Sequence, residues 1–258
     1  MSSWAHHEQY ETRPYGFGMG RITYAVQWLI LANVVVFAGQ LILDIPAGDF
    51  MSPPGGYIVA DWLAFSPKHL LIGKLWQPFT YMFLHTGLWH LVVNMLGLFF
   101  FGPEVERILS TRQFFRFYFL CGVVGVLPNL IPWALLPNYS TYVIGASGAS
   151  LGVLVAFAVA YPNRRVYMIP FPFPLTARAL VIIFIAFNIL TLLSESGVSV
   201  LTHFGGMATG YAYMKLMPGF NAWLDTRQGS RRKKSDIDAT GEAVDNILRF
   251  RDKKKRRR

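Results

Sequence analysis

Six stretches of this 258-residue chain are long and apolar enough to cross a lipid bilayer, and that repetition constrains the fold more than anything else in the sequence. They run over residues 22–45, 84–101, 114–136, 141–161, 177–193 and 199–217. A hydrocarbon core about 30 Å thick is crossed by ~20 helical residues. Within it every peptide N–H and C=O needs a partner from the chain itself, so single stretches of this kind span as helices. The expected fold class is all-α, a polytopic membrane bundle of six helices. Composition agrees: 15% of residues are charged, where a soluble domain carries about a quarter.

A net charge of +10 acquires meaning once it is located. From Arg227 to Arg258 there are 13 Lys/Arg against 5 Asp/Glu, which leaves 11 against 9 for all the rest. The basic blocks sit on no aromatic-rich module, so nucleic acid is not an expected partner. A basic tail beside membrane spans usually fixes orientation at the cytoplasmic face. The domains expected are therefore a cytoplasmic segment over 1–20, a membrane domain over 21–217, and a basic cytoplasmic tail without fixed structure over 218–258.

Cys121 is the single cysteine, which excludes an intrachain disulfide. The first apolar stretch is longer than a signal-peptide core and follows twenty polar-rich positions, so a cleaved signal is not expected. The connection 46–83 mixes Pro53-Pro54-Gly55-Gly56 with Trp62, Phe65, Leu70, Leu71 and Trp76. Trp favours the headgroup level, and the pattern predicts short helices lying in the interface. Pro128, Pro132 and Pro137 predict a bend late in the third stretch. With the amino terminus inside, Arg13, Arg21, Arg107, Arg112, Arg116, Arg164, Arg165, Arg178 and Lys215 all fall inside, and Lys68 and Lys74 alone fall outside. That asymmetry places both termini in the cytoplasm.

Polar side chains within spans are costly and call for an explanation. In this orientation the second, fourth and sixth stretches run from outside to inside. His90, Ser147 and His203 then lie about four to six residues in, roughly 6–10 Å below the outer surface. Asn94 shares a helix face with His90. Gly148, Gly152, Ala156 and Ala160 make a small-residue stripe, and Gly206 and Gly210 make another one turn from His203. Stripes of this kind let helices approach closely. If they meet, His203 can take the proton of Ser147, while His90 and Asn94 can donate to an oxyanion. Gly-x-Ser-Gly is equally what plain close packing looks like, and isolated His or Asn residues serve as interhelical glue. A metal site from His85, His90 and His203 lacks both the His-Glu-x-x-His spacing and a carboxylate. Residue chemistry alone leaves catalysis and close packing both open.

The same residues carry a family resemblance over about 75–211. The segment Leu84-His85-Thr86-Gly87-Leu88-Trp89-His90-Leu91-Val92-Val93-Asn94 resembles the second-span pattern of rhomboids, Gly145-Ala146-Ser147-Gly148 their Gly-x-Ser-Gly motif, and His203-Phe204-Gly205-Gly206-Met207-Ala208-Thr209-Gly210 their sixth-span His-x-x-Gly-x-x-x-Gly. The resemblance implies an intramembrane serine protease that cuts transmembrane helices of other proteins near their outer ends. Ser147 would be the nucleophile, His203 the general base, and the Ser147 amide with His90 and Asn94 the oxyanion hole. Gly145, Gly148, Gly206 and Gly210 would pack the site. It implies no cofactor or metal, and a lipid bilayer and transmembrane substrates as partners. The fifth span, 181–193, would correspond to a lateral gate, the long first connection to a membrane-dipping loop, and Glu106 and Arg107 to a polar cluster at the inner end of the second span.

Three positions depart from the pattern. Gln77 follows Trp76 where the family commonly has Arg, so a charge that anchors the first loop is missing. Leu151 stands where a tyrosine stacks on the histidine, and Thr202 replaces an alanine before it. None removes a catalytic atom. A catalytically silent rhomboid-like protein that binds membrane helices is the alternative reading, and a small transporter is disfavoured because the spans hold no paired carboxylates or inverted repeat. The expected home is a bacterial cytoplasmic membrane. The sequence sets neither the oligomeric state nor the physiological substrate.

Overall fold

The structure is a computed structural model describing residues 22–44, 56–136, 142–167, 173–193 and 200–217. The segment 1–20 and the tail 218–258 lie outside the described residues. The described residues up to Met214 pack as one compact unit. Its first helix, α1 (Tyr24–Asp44), fills the first apolar stretch. The long connection folds into α2 (Gly56–Leu63), α3 (Pro67–Leu71), α4 (Gln77–Thr80) and a 3₁₀ turn over Tyr81–Phe83. Then come α5 (Leu88–Leu109), α6 (Thr111–Val126), a 3₁₀ turn over Leu127–Asn129, α7 (Leu130–Leu135) and α8 (Ser147–Ala160). Two-residue strands β1 (Arg165–Val166) and β2 (Leu175–Thr176) pair antiparallel before α9 (Ala177–Leu193). The last helix, α10, covers 200–217.

Among the described residues three helices, Tyr24–Leu43, Leu88–Leu109 and Thr111–Leu135, are long and apolar enough to cross a bilayer, and Ser147–Ala160 and Ala177–Leu192 are shorter apolar helices. Large apolar side chains such as Trp28, Ile42, Ile182 and Leu190 stand exposed on α1 and α9, as lipid-facing surfaces require. The chain is a mainly helical integral membrane protein. At its centre α8 buries every residue from Gly148 to Ala158 and packs against α5, α6 and α9.

Two stretches differ from the sequence expectation. The second helix starts four residues later than the apolar run 84–101 and continues to Leu109. Its charged end is stabilised by specific partners. Glu106 accepts from the backbone N–H of Ala25 and Val26 at 3.0 and 3.2 Å and from Thr111 Oγ1 at 2.7 Å, while Glu104 pairs with Arg107 and Arg164. A carboxylate at the opening turn of α1 answers both its unpaired amides and its dipole. The fourth stretch, 141–161, is helical only from Ser147 onward. Before it, Val143 exchanges two backbone hydrogen bonds with Phe65, and Gly145 N–H donates to Tyr81 O at 2.9 Å. Membrane-level backbone outside a helix is tolerable because these partners are internal. The third stretch departs from α-helix at the 3₁₀ turn around Pro128, while Pro132 sits within the first turn of α7 and Pro137 lies outside the described residues.

The long first connection is anchored without the arginine its family resemblance led one to expect. Gln77 is fully buried. Its Oε1 accepts from Ser66 N–H at 3.2 Å, and its Nε2 donates to Asp61 O at 2.8 Å and faces His69 Nδ1 at 3.2 Å. His69 Nε2 in turn faces Asp61 Oδ1 at 3.2 Å, and Lys74 Nζ donates to Asp61 Oδ2 at 2.7 Å. Trp62 and Trp76 stack beside this cluster. With Nδ1 accepting and Nε2 donating, His69 is neutral. Burial, then the charge of Lys74, holds its pKa below the ordinary 6.5; hydrogen bonding from Lys74 lowers that of Asp61.

Two outcomes follow from these fastenings. Glu106→Ala leaves two buried N–H groups unpaired and is expected to destabilise the fold by about 1–3 kcal/mol, with Glu106→Gln milder because one acceptor oxygen survives; thermal unfolding in detergent measures both. A histidine whose folded pKa is depressed contributes stability above its unfolded value, and that stability is lost as pH falls. Protection factors over 61–77, measured by hydrogen–deuterium exchange and corrected for the intrinsic pH dependence of amide exchange, should therefore fall as pH drops below 6.5 toward the lowered value, and His69→Phe should flatten that dependence.

Candidate active site

The polar residues of the second, fourth and sixth stretches converge because backbone touches backbone. A Cβ added to Gly206 would fall on the Gly148 carbonyl, and one on Gly210 would lie 2.6 Å from Gly152 O. On the other side of α10, Gly205 meets the backbone of Gly125 in α6. The two small-residue stripes thus face each other, with α10 wedged between α8 and α6.

One turn along from this crossing, Ser147 Oγ and His203 Nε2 are 2.7 Å apart. Ser147 is the first residue of α8, so its amide and the next two have no intrahelical acceptor. Gly145, with φ of +115°, turns the chain into that helix. A side chain there would also collide with the His90 ring, whose Nε2 lies 2.8 Å from the site of the absent Cβ. Position 145 needs glycine for both reasons.

His90 is thereby held two residues from Ser147. Thr86 sets its Oγ1 at 3.0 Å and its N–H at 3.4 Å from His90 Nδ1, an arrangement that makes Nδ1 the acceptor and leaves the proton on Nε2. Asn94 is buried and donates from Nδ2 to His90 O at 2.9 Å, so one amide hydrogen is engaged within α5. No bond joins Asn94 directly to Ser147 or His203 in this resting geometry. His85 packs edge to face on His90 with ring centroids 5.1 Å apart. Among the described residues no three His, Cys, Asp or Glu gather as a metal set.

Two side chains at the site were not picked out from the sequence. Asn188 of α9 places Oδ1 2.6 Å from His203 Nδ1. It stands five residues before the end of α9. Since that helix runs opposite to α8 and α10, the same depth rule applied from its other end points to it. Asn129 donates to Thr202 Oγ1 at 2.8 Å and to Val126 O at 2.7 Å. The threonine that replaces alanine beside His203 therefore ties α10 to the bent end of α6. Leu151, where a tyrosine would stack on the histidine, is buried in α8.

The crossing makes a clear contrast between glycines. Gly206→Ala should cost about 1–3 kcal/mol through overpacking, with its added methyl forced onto the Gly148 backbone. Gly97→Ala in α5 meets nothing within 4 Å and should be neutral or slightly stabilising. Paired melting curves in one detergent test the difference.

A family model described as Rhomboid domain matches residues 72–219, more than half of the chain. The chain is 28% identical over 166 residues to Rhomboid protein 1, mitochondrial, of Saccharomyces cerevisiae, covering 62% of this chain and 44% of the yeast protein. It is 27% identical over 209 residues to Rhomboid protease GluP of Bacillus subtilis, covering 79% and 36% respectively. With Rhomboid protease AarA of Providencia stuartii it shares 28% identity over 209 residues, 75% of this chain and 72% of that protein. The chain thus spans less than half the length of the first two relatives.

Proposed function

The chain belongs to the rhomboid family, and from that premise we propose that it is an intramembrane serine endopeptidase cutting transmembrane segments of other membrane proteins. One observation carries the reading: the 2.7 Å approach of Ser147 Oγ to His203 Nε2. Relatives named proteases, among them GluP and AarA, support it.

In the proposed reaction Ser147 Oγ attacks the scissile carbonyl carbon while its proton passes to His203 Nε2, and the carbonyl π electrons move onto oxygen. That oxyanion would be met by the free Ser147 amide at the head of α8, by Nε2–H of His90, and by the remaining Nδ2 hydrogen of Asn94. Collapse expels the amine, which takes the proton from His203. A water then gives its proton to His203 and attacks the Ser147 ester, restoring the hydroxyl as the acid leaves. The fuller architecture we propose has six spans within 21–217 and both termini cytoplasmic, in a bacterial inner membrane. The tail 218–258 serves topology. Substrates are transmembrane helices presented near the outer leaflet.

Full-length protein purified in detergent, incubated with a model transmembrane substrate, decides the matter. Cleavage by wild type that disappears in Ser147→Ala and His203→Ala is the expected result. Cleavage at equal rates by all three, or by none, would overturn the dyad in favour of other chemistry or of a silent helix-binding member. Asn94→Ala removes one oxyanion donor and should slow turnover by about 10²–10³, less than loss of the nucleophile, while keeping covalent labelling of Ser147 by a fluorophosphonate detectable.

A further inference from the structure

We propose that Asn188 is a positioning residue for this reaction, its side-chain amide holding the His203 imidazole in the one orientation and tautomer that can accept the Ser147 proton. The inference rests on the dyad reading and extends it to a third helix.

An asparagine amide has two unlike ends. Asn188 Nδ2 lies 2.8 Å from the carbonyl oxygen of Phe184, one turn earlier in α9. A carbonyl oxygen only accepts, so the nitrogen end must point there and Oδ1 must face the imidazole. Oδ1 has no hydrogen to give. Across the 2.6 Å contact with His203 Nδ1 the proton therefore sits on Nδ1. A neutral imidazole carries one N–H, so Nε2 presents its lone pair, and Nε2 is the nitrogen 2.7 Å from Ser147 Oγ. The Phe184 carbonyl sets the amide, the amide sets the tautomer, and the tautomer makes Nε2 the base.

Asn188 is 2% exposed, so water does not compete for Oδ1. Leu151, one turn past Ser147, offers the ring no hydrogen bond. Deprived of the acceptor, the ring is free to adopt the other tautomer, which turns an N–H toward Oγ, or to rotate, which carries Nε2 away from Oγ. An N–H there holds the serine lone pair and cannot take its proton. As the Ser147 proton moves to Nε2, Nδ1 keeps its own, and the bond to Oδ1 becomes charge-assisted, which roughly doubles its strength. That gain is realised in the transition state, so it acts on turnover more than on substrate binding.

The test uses full-length protein in detergent as wild type, Asn188→Leu, Asn188→Ala, Asn188→Asp and Ser147→Ala. Leu deletes the acceptor at similar volume, Ala deletes it with a smaller side chain, and Asp keeps an acceptor oxygen. Each is read for kcat and KM on a model transmembrane substrate, for the rate at which a fluorophosphonate phosphonylates Ser147, and for thermal unfolding. Asn188→Leu and Asn188→Ala should lower kcat and the labelling rate together by about tenfold to a hundredfold, with KM within about twofold, and Asn188→Asp should recover at least half of that loss on a logarithmic scale. A folded Asn188→Leu or Asn188→Ala with kcat within about twofold of wild type overturns the proposal, and so does a loss confined to KM. Asn188→Asp folded but no faster than Asn188→Leu also overturns it. Should N188D not fold, the split between kcat and KM in the two truncations decides alone. Failure of the dyad reading looks different: Ser147→Ala keeps cutting, or wild type takes up no probe, and Asn188 then falls with it.

Discussion

Where α8 and α10 cross, no side chain separates the two backbones, and the candidate site exists because of that contact. Helices ordinarily pack about 8–10 Å apart, at a distance set by the side chains between them. A serine hydroxyl is too short to bridge a gap lined by leucines. Gly148 and Gly152 on one helix and Gly206 and Gly210 on the other remove the spacer, and Ser147 and His203, adjacent to the crossing, come within hydrogen-bonding distance. Lipid supplies no hydrophobic drive for helices to associate, so close van der Waals contact has to supply it. One set of residues therefore both holds the bundle together and sets the distance between the dyad atoms.

Neutral amides do much of the remaining fastening. Gln40 pairs with the backbone of His85 at the entrance to α5, Gln77 locks the first loop, Asn129 ties α6 to Thr202, and Asn188 links α9 to His203. An amide donates and accepts at once, so it can satisfy a peptide group and a side chain together without bringing a charge into a medium that solvates charges poorly. The loop shows the trade most plainly. The charge missing at position 77 is replaced by a network in which Gln77, His69 and Asp61 each orient the next.

Much of this arrangement is legible in the sequence, and the parts that are not have physical reasons. Apolar length locates α1, α6 and α9, and prolines locate the bend after Val126. Hydropathy could not see the charged end of α5, because the buried Glu106 and the half-buried Glu104 are each paired in part with residues distant in sequence. Nor could it see that 142–146 is not helical, since the bridge from Val143 to Phe65 that stabilises that segment joins residues far apart in sequence. Ser147, His203, His90 and Asn94 stand out because polar groups at one depth are conspicuous. Asn188 obeys the same rule and went unremarked because its helix runs the other way, which puts its outer end at its C-terminus.

The use of an amide where soluble serine proteases place a buried aspartate follows from the surroundings. A carboxylate beside the imidazole would orient it and stabilise the imidazolium more strongly, but it would have to remain ionised at membrane depth through every resting moment. Each unpaired buried charge costs several kcal/mol even after relaxation. With Asn188 as third partner the resting site carries no formal charge: Ser147, His203 and the amide are all neutral. Charge would arise only in the proposed reaction, as an imidazolium and an oxyanion formed together and close enough to offset each other. On the proposed reading the site gives up some transition-state stabilisation in exchange for a ground state that a bilayer tolerates. The glycine crossing serves the same end, because a base already in contact with its nucleophile needs less electrostatic help to be held there.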